Sequence, residues 1–407
     1  MPGALSHVRV LDLSRILAGP WAGQMLADLG ADVIKVERPG AGDDTRGWGP
    51  PWLKDEQGAD THVAAYYLCA NRNKRSITID ITQAEGQALV RRLAAGSDVV
   101  LENFKVGGLA QYGLDYDSLK AVNPRLVYCS ITGFGQDGPY APRAGYDFLI
   151  QGLGGLMSIT GRPDGEEGGG PMKVGVALTD ILTGLYATNA VLAALAWRDR
   201  SGEGQYIDMA LLDVQVACLA NQAGNYLATG HSPQRLGNAH PNIVPYQDFP
   251  TADGYMILAI GNDGQFARFC AAAGAPQLAS DERFATNRAR VVNRTTLIPL
   301  LKKLTIERST ADWIVRLEAL AVPCGPINTL ADVFADPQVQ ARGLKVTMPH
   351  PVAGQVPLVA SPMKLSATPV DYRLPPPMLG EHTDEILAAT LGLDAAAIAR
   401  LRADGVV

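Results

Sequence analysis

The stretch VRVLDLSRILAGPWAGQMLADLGADVIKVERPG, residues 8–40, decides the fold of the first part of the chain. Residues 8–13, VRVLDL, have a pattern that predicts a strand. A loop ending at Gly19-Pro20 follows, and residues 21–29 then have the spacing of a helix with one apolar face. Residues 33–37 are again strand-like. We therefore predict a βαβ unit, in which the two strands run parallel.

The same alternation continues to about residue 135, and further strand-like runs follow later in the chain. Because strands that alternate with helices form parallel sheets covered on both faces, we predict an α/β fold. Strands are predicted at residues 76–81, 99–102, 125–132, 205–209 and 255–260, with a helix at 83–95.

Ligands of open α/β sheets bind beyond the carboxyl ends of the strands. Cationic, amide, aromatic and glycine residues follow the predicted strands here, which suits an anionic ligand. The first βα turn lacks the GxGxxG pattern, so a dinucleotide on that helix is not indicated. The strand-end residues are Arg15 to Ala18, Arg38, Asp80, Asn103-Phe104 and Gly133 to Gly135.

The length of 407 residues exceeds that at which single hydrophobic cores stop growing, so we expect two domains. Gly, His and Pro accumulate at residues 225–250, which we interpret as the crossing between them. The predicted division is a large domain at 1–225, a small domain at 235–340, and a C-terminal segment at 341–407 that returns to the large domain.

Charge and cysteine content narrow the class of protein. The net charge is −6 without a Lys/Arg block, which argues against nucleic acid and membrane partners. Five dispersed cysteines and scattered histidines indicate reduced thiols and no metal site. Because a strand pattern begins at Val8, we expect no signal or transit peptide and a cytoplasmic location.

The most apolar stretch, residues 174–197, has Asp180 as its single charge. It is long enough to span a bilayer, but Gly, Thr and Asn interrupt it and no basic cluster or aromatic pair flanks both ends. We favour a helix buried in the protein core over a membrane span.

Asp180 has two interpretations. Thr179 or Asp180 caps the helix, as Thr and Asp commonly do. Alternatively, the helix N-terminus keeps a desolvated Asp180 ionised, which would suit nucleophilic attack on an acyl carbon. The glycine-rich loop before the helix, residues 161–170, would then supply N–H donors to an oxyanion or exclude water.

Seven segments, in order along the chain, carry a resemblance to the family III CoA-transferases. The resemblance covers nearly the whole chain, and this many ordered segments are more specific than one short motif. They are VLDLSRILAGPWAGQMLADLGADVIKVERPGAGDDTRGW (10–48), NRNKRSITIDI (71–81), LENFKVGGLAQYGL (101–114), ITGFGQDGPYAPRAGYD (131–147), GVALTDILTGLYA (175–187), PCGPINTLADVFADPQ (323–338) and LGEHTDEIL (379–387).

The resemblance implies a Rossmann-like large domain, a smaller α/β domain and a homodimer of two interlocked rings. It implies coenzyme A as the substrate carrier, no metal, and Asp180 as the catalytic aspartate. Matching positions are expected to contact the acyl group or CoA: Ile16, Leu17 and Ala18 over the acyl group; Arg38, Ile79, Asp80, Ile81, Asn103, Phe104 and Lys105 around the nucleotide; and Arg143, Ala144, Gly145 and Tyr146 at a phosphate or pantetheine.

Within the family the chain is most similar to transferases that use succinyl-CoA and glutarate or hydroxymethylglutarate. Formyl-CoA transferases carry a Gln where this chain has Leu17, and a glycine-tetrad loop where it has Gly237 to His240. Gln111 replaces an Arg of that group near CoA. The similarity to the succinyl-CoA group, which rests on residues 216–249 and 253–270, implies CoA transfer from succinyl-CoA to a dicarboxylate, through an aspartyl mixed anhydride and an aspartyl–CoA thioester. The cations considered for the distal carboxylate are Arg15, Arg46 and Arg72.

Two alternatives stay open. The family includes α-methylacyl-CoA racemases, which need a His in the sequence RAGHD, whereas this chain has Tyr146 there. A phenol with a pKa of about 10 is a poor base near neutral pH, so the racemase ranks second. The other alternative is a protein that binds CoA esters without turnover.

Overall fold

The structure, a computed structural model, describes residues 3–407 and divides into two compact units. The first unit comprises residues 3–155, 174–223 and 338–407, and the second comprises 156–173 and 224–337. The strands are β1 (Arg9–Asp12), β2 (Asp32–Glu37), β3 (Trp52–Lys54), β4 (Asp60–Ala64), β5 (Lys74–Thr78), β6 (Val99–Glu102), β7 (Val127–Thr132), β8 (Tyr206–Ala210), β9 (Tyr246–Pro250), β10 (Tyr255–Ala259), β11 (Cys324–Pro326), β12 (Lys345–His350) and β13 (Gly354–Val359).

The helices surround these strands, and two short 3-10 turns lie at Asp44–Gly47 and Ala110–Tyr112. The α-helices are α1 (Ala18–Asp28), α2 (Ala65–Leu68), α3 (Ala84–Ala95), α4 (Tyr116–Val122), α5 (Asp147–Leu153), α6 (Leu156–Ile159), α7 (Leu178–Ser201), α8 (Leu211–Ala217), α9 (Ala220–Thr229), α10 (Asp263–Ala272), α11 (Gln277–Ser280), α12 (Asn287–Val292), α13 (Arg294–Thr305), α14 (Thr310–Glu318), α15 (Leu330–Ala335), α16 (Pro337–Ala341), α17 (Thr383–Ala389) and α18 (Ala395–Ala403).

A six-stranded parallel sheet in the order β5-β2-β1-β6-β7-β8 forms the centre of the first unit. Leu11 and Val100 face a core that includes Leu89 of α3 and Ile386 of α17. Side chains of α1 and α7 pack on the other face, with Val10 and Val33 of the sheet. The predicted α/β fold with a parallel sheet covered on both faces is confirmed.

Two local predictions differ from the structure, and one hairpin was not predicted. Helix α1 begins at Ala18 rather than Trp21, because Pro20 lies in the first turn, where a helix needs no N–H donor from it. β5 ends at Thr78 rather than Ile81, since the N–H of Asp80 bonds to the Val406 carbonyl instead of a neighbouring strand. The β3–β4 hairpin was not predicted.

The C-terminal segment, residues 338–407, packs in the first unit. The Asn73 N–H donates to the Leu374 carbonyl at 2.8 Å, and the His382 N–H donates to the Ser76 carbonyl at 2.9 Å. These bonds tie the proline-rich residues that precede α17 to β5 and to the turn before it.

The second unit has an antiparallel sheet in the order β11-β10-β9, with Phe249 and Trp313 in its core. Residues 156–173, which the sequence analysis placed in the large domain, pack with this unit. The reason is Arg235, whose guanidinium donates to the carbonyl of Arg162 and pairs with Asp164. The N–H of Gly237 also bonds to the Gly161 carbonyl at 3.1 Å.

Helix α7 is the long apolar segment of the chain. Within residues 3–407 it is the one helix that is long and apolar enough to cross a membrane, yet half of its most apolar stretch is buried inside the protein. The buried side, which includes Ala187, Val191 and Leu195, belongs to the core beside the parallel sheet. Tyr186 and Trp197, on the other side, are 46% and 50% exposed.

Candidate active site

Two adjoining pockets open at the carboxyl ends of the parallel strands, and Arg15, Phe104 and Lys105 line both. The Asp180 pocket has a volume of about 180 Å³ and the Arg38 pocket about 410 Å³. Of the residues predicted from the sequence, the Asp180 pocket contains Ile16, Leu17, Ala18, Asn103, Phe104, Lys105, Arg143, Ala144, Gly145, Tyr146 and Asp180. The Arg38 pocket contains Arg38, Ile79, Asp80, Ile81, Phe104 and Lys105.

The sheet order explains why residues from distant parts of the sequence meet here. β1 lies between β2 and β6, and β7 follows β6, so the loops after these strands converge at one edge of the sheet. Residues 16–18 follow β1, residues 103–105 follow β6, and residues 143–146 lie in the loop between β7 and α5. The fold thus collects the predicted residues, while their individual contacts with CoA remain predictions.

Asp180 lies in the first turn of α7 and is 9% exposed. Within residues 3–407 its carboxylate has neither a hydrogen bond nor an ion pair. A buried carboxylate without a partner is costly to keep charged, so it is uncommon unless a ligand uses it. Its position on the wall of a pocket leaves the carboxylate oxygens accessible to a ligand.

The N-terminus of α7 is capped from another helix. Asp147, the first residue of α5, accepts hydrogen bonds from the N–H of Thr179 at 2.8 Å and of Asp180 at 3.3 Å. The Thr179 hydroxyl instead donates to the Gln215 side chain at 2.6 Å. The interpretation of Thr179 or Asp180 as the cap is therefore wrong, because Asp147 takes that role across 32 residues of sequence.

Burial, followed by the negative charge of Asp147, raises the pKa of Asp180 to about 7. The N–H groups of Thr179 and Asp180, which were expected to stabilise the charge of Asp180, instead donate to Asp147. At neutral pH the group is poised between its two forms, as groups at reactive sites often are.

Cations surround the Asp180 pocket. Arg15 forms an ion pair with Asp44 at 2.9 Å. The Arg143 guanidinium lies over the rings of Tyr140 and Phe134, 4.6 and 5.1 Å from their centroids. In the described residues neither Arg143 nor Lys105 forms an ion pair, so both are available to an anionic substrate.

Arg46 and Arg72, two of the cations considered for a distal carboxylate, serve the interior of the protein instead. Arg46 pairs with the buried Glu37 at 2.7 Å, and Arg72 pairs with the buried Asp28 at 2.6 Å. Neither lines the two pockets. The guanidinium groups of Arg46 and Arg72 take the place of solvent around buried carboxylates. Of the three candidate cations, only Arg15 lines the site.

The loop of residues 141–146 reaches the Asp180 pocket through a close contact of two glycines. A Cβ on Gly133 would lie 2.5 Å from the Gly145 Cα, which no side chain tolerates. Glycine is needed at both positions because the two backbones touch. Neither glycine showed this requirement in the sequence, since the contact joins segments 12 residues apart in the chain.

Comparison with known proteins identifies the family. The model of CoA-transferase family III matches residues 5–383 of the chain. The chain belongs to the family III CoA-transferases. It is therefore an enzyme that transfers CoA, as predicted, and CoA is its substrate carrier. The binding protein without turnover loses its support at this point.

Named relatives extend over nearly the whole chain. The succinate–glutarate CoA-transferase of Agrobacterium fabrum (strain C58) is 57% identical over 384 residues, covering 94% of this chain and 95% of that protein. The succinyl-CoA:glutarate CoA-transferase of Homo sapiens is 45% identical over 403 residues, with 99% and 90% covered. The predicted similarity to this group is confirmed.

Solved structures agree on the fold. A CAIB/BAIF family protein from Brucella suis is 55% identical and has a TM-score of 0.84, with 96% of this chain and all of that chain covered. The protein Rv3272 of Mycobacterium tuberculosis, at 31% identity, has a TM-score of 0.82 and covers 94% of this chain and 98% of its own.

Sequence reasoning missed Asp147, although it ends the RAGYD segment that carries part of the family resemblance. Its only sequence signal is an acidic residue at the start of a helix, which is common and unspecific. Asp43 and Lys35, which hold the β1–α1 loop, gave no signal because both look like ordinary charges at a strand and its end.

Proposed function

We propose that this family III CoA-transferase moves CoA from succinyl-CoA to glutarate, with Asp180 as its covalent nucleophile. One observation carries the choice of nucleophile: the buried Asp180 carboxylate faces a pocket and has no partner among residues 3–407. The donor and acceptor are those in the names of its relatives. The unpaired cations of the pocket suit substrates that carry a second carboxylate.

The reaction follows from exchanging one activated acyl group for another. An Asp180 oxygen attacks the thioester carbonyl carbon of succinyl-CoA, and the C–S bond breaks, giving a mixed anhydride and CoA thiolate. The thiolate then attacks the Asp180 Cγ, which releases succinate and leaves an aspartyl–CoA thioester. Glutarate attacks the same carbon, CoA leaves as thiolate, and a second mixed anhydride forms. Attack of CoA on the glutaryl carbonyl gives glutaryl-CoA and restores the Asp180 carboxylate.

Two features of the site support these steps. Desolvation makes a carboxylate a stronger nucleophile, and burial of Asp180 supplies it. The charges of Arg15, Lys105 and Arg143 lower the cost of bringing anionic substrates towards an aspartate. Tyr146 replaces the His that racemases need, and a phenol does not remove an α-proton effectively near pH 7.

The first experiment traps the activated aspartate. The enzyme is incubated with succinyl-CoA and hydroxylamine, which converts an activated aspartyl group to a hydroxamate and adds roughly 15 Da. Intact mass and peptide mapping then locate the adduct, with Asp180→Ala as the control. We expect a hydroxamate on Asp180 in the native enzyme only. A hydroxamate elsewhere, or none with any acyl-CoA donor, would refute Asp180 as nucleophile.

A second measurement tests the substrates. With succinyl-CoA as donor, formation of the CoA ester of the acceptor is compared for glutarate, hydroxymethylglutarate and a monocarboxylate of equal chain length. We expect glutarate to give the highest kcat/KM. If Asp180 is trapped and glutarate is not used, the acceptor is wrong and the nucleophile stands.

The active form is proposed to be a homodimer of interlocked chains. Support comes from large apolar side chains that this chain leaves exposed on α5 and α7, which a second copy would cover. They include Phe148, Leu153, Tyr186 and Trp197.

A further inference from the structure

Ile16, on the wall of the Asp180 pocket, has an unfavourable backbone conformation. Its φ is 72°, in the left-handed region where a β-branched side chain crowds the backbone. Of the described non-glycine residues with positive φ, Ile16 alone is β-branched. Such strain persists only where the surroundings hold it, and it often marks a functional site.

The Asn103 side chain forms two hydrogen bonds with the backbone of Arg15, the residue before Ile16. Its side-chain oxygen accepts from the Arg15 N–H at 2.9 Å, and its side-chain nitrogen donates to the Arg15 carbonyl at 2.7 Å. One amide group thus replaces both hydrogen bonds that a strand neighbour would have made to Arg15. The buried Glu102 holds the turn that presents Asn103, since its carboxylate accepts from the Phe104 N–H at 2.7 Å.

A buried ion pair holds the other side of the loop. The Asp43 carboxylate accepts from the Ile16 N–H at 3.3 Å. Lys35 pairs with Asp43 at 2.9 Å and donates to the Ser14 carbonyl at 2.8 Å. Both ionic side chains are fully buried. Although burial raises it, Lys35 and the Thr45 hydrogen bonds lower the pKa of Asp43 to about 2, so the acceptor stays charged.

The sheet order gives these contacts a common origin. β1 lies between β2 and β6, so Asp43 after β2 and Asn103 after β6 reach the β1–α1 loop from opposite sides. The residues they hold, 14–16, lead directly into Leu17 and Ala18, which line the same pocket as Asp180.

The geometry points to Asn103, assisted by Asp43, as a positioning residue that keeps Ile16 in its strained conformation and thereby sets residues 16–18 against Asp180. From the family resemblance, Asn103 was expected to contact CoA. Here both polar atoms of its side chain already bond to Arg15. The role rests on the proposed function, in which acyl transfer occurs at Asp180. A displacement of about 1 Å at a reacting site can cost on the order of 100-fold in rate.

A double-mutant cycle tests the inference, because glycine adopts a φ of 72° without strain. Asn103→Ala is made in three backgrounds: native Ile16, Ile16→Val, which keeps the β-branch, and Ile16→Gly. The kcat of each Asn103→Ala variant is compared with the kcat of the protein that has the same residue 16 and keeps Asn103. We expect kcat to fall about 10- to 100-fold with Ile or Val at position 16, and less than about threefold with Gly. The KM for succinyl-CoA is expected to change little.

Two results would overturn the inference: an equal loss in the Gly and Ile backgrounds, or a rise in KM with kcat unchanged, which is the result for a CoA contact. Asn103→Asp, which keeps the acceptor for the Arg15 N–H, serves if Asn103→Ala does not fold, and is expected to follow the same pattern with a smaller loss. Crystal structures provide a readout without activity. In Asn103→Ala we expect φ of Ile16 to become negative, and a retained positive φ would refute the role even if the proposed reaction proves wrong.

Discussion

Asp180 combines burial with a nearby negative charge, and both make its protonation sensitive to pH near neutrality. The carboxylate form is the nucleophile, so activity of the free enzyme depends on losing the proton. Burial, then Asp147, raises its pKa to about 7. We expect kcat/KM for succinyl-CoA to rise with pH through an apparent pKa near 7 and to level off above it.

The pH profile of kcat/KM in variants separates the effect of the Asp147 charge from the effect of burial. Asp147→Asn keeps an acceptor for the Thr179 N–H and removes the charge, so the profile is expected to shift to lower pH. Asp117→Asn, an exposed charge on α4, is the matched control and should leave the profile in place. A profile that does not move in Asp147→Asn would contradict a charge effect on Asp180.

The raised pKa of Asp180 also makes folding stability depend on pH. The folded state binds the proton more tightly than the unfolded chain, so the stabilisation from that proton is fully present below pH 3.8 and is lost as pH rises through about 7. The Asn side chain in Asp180→Asn does not titrate, so this variant does not lose stability as the pH rises through about 7. We expect it to be more stable than the native enzyme at pH 8, by at most roughly 4 kcal/mol, with a smaller difference at pH 5. Urea unfolding at both pH values measures this, and a difference independent of pH would contradict it.

At the scale of elements, the crossing of α1 and α7 sets Asp180 against residues 16–18. Gly184 of α7 lies at the crossing, and a Cβ there would come within 2.8 Å of the Ala18 carbonyl oxygen and 3.0 Å of the Trp21 side chain. Asp180 is about one turn earlier on the same helix. The absence of a side chain at Gly184 is therefore what lets α7 approach the N-terminus of α1.

Gly184→Ala is expected to push the two helices apart. We expect a loss of stability of about 1–3 kcal/mol and a fall of at least about tenfold in hydroxamate formation at Asp180. Gly264→Ala is the control, since that glycine is exposed in α10 and a Cβ there would make only ordinary contacts. If Gly184→Ala forms hydroxamate at the native rate, the helix crossing does not control the site.

At the scale of the whole molecule, the proposed interlocked homodimer makes a kinetic prediction. A dimer has twice the mass of the 43.1 kDa chain, and interlocked chains separate only by unfolding. When tagged and untagged native enzymes are mixed, we expect no hybrid dimers by affinity capture. Hybrids are expected after joint unfolding and refolding, or after co-expression. Hybrids on simple mixing would refute the interlocking, and a monomer by light scattering would refute the dimer.

The sequence by itself determined the α/β class, the parallel sheet and the edge at which the pockets open. These follow from local patterns: strand and helix periods alternate from Val8 onwards, and parallel strands bring their carboxyl ends together. The isolated Asp180 in an apolar helix was also visible, because one charge among apolar residues breaks a local pattern. The resemblance to the family III transferases came from the order of seven segments.

Only the tertiary structure decided the pKa of Asp180 and the roles of the residues around it. Its pKa depends on burial and on Asp147, which is 33 residues away in sequence, and the conformation of Ile16 depends on Asn103, 87 residues away. Arg46 and Arg72 looked like substrate anchors, yet they compensate buried carboxylates. The protonation of Asp180 and the backbone strain of Ile16 depend on contacts between groups that are distant in the sequence. The spacing of residues along the chain does not predict these contacts.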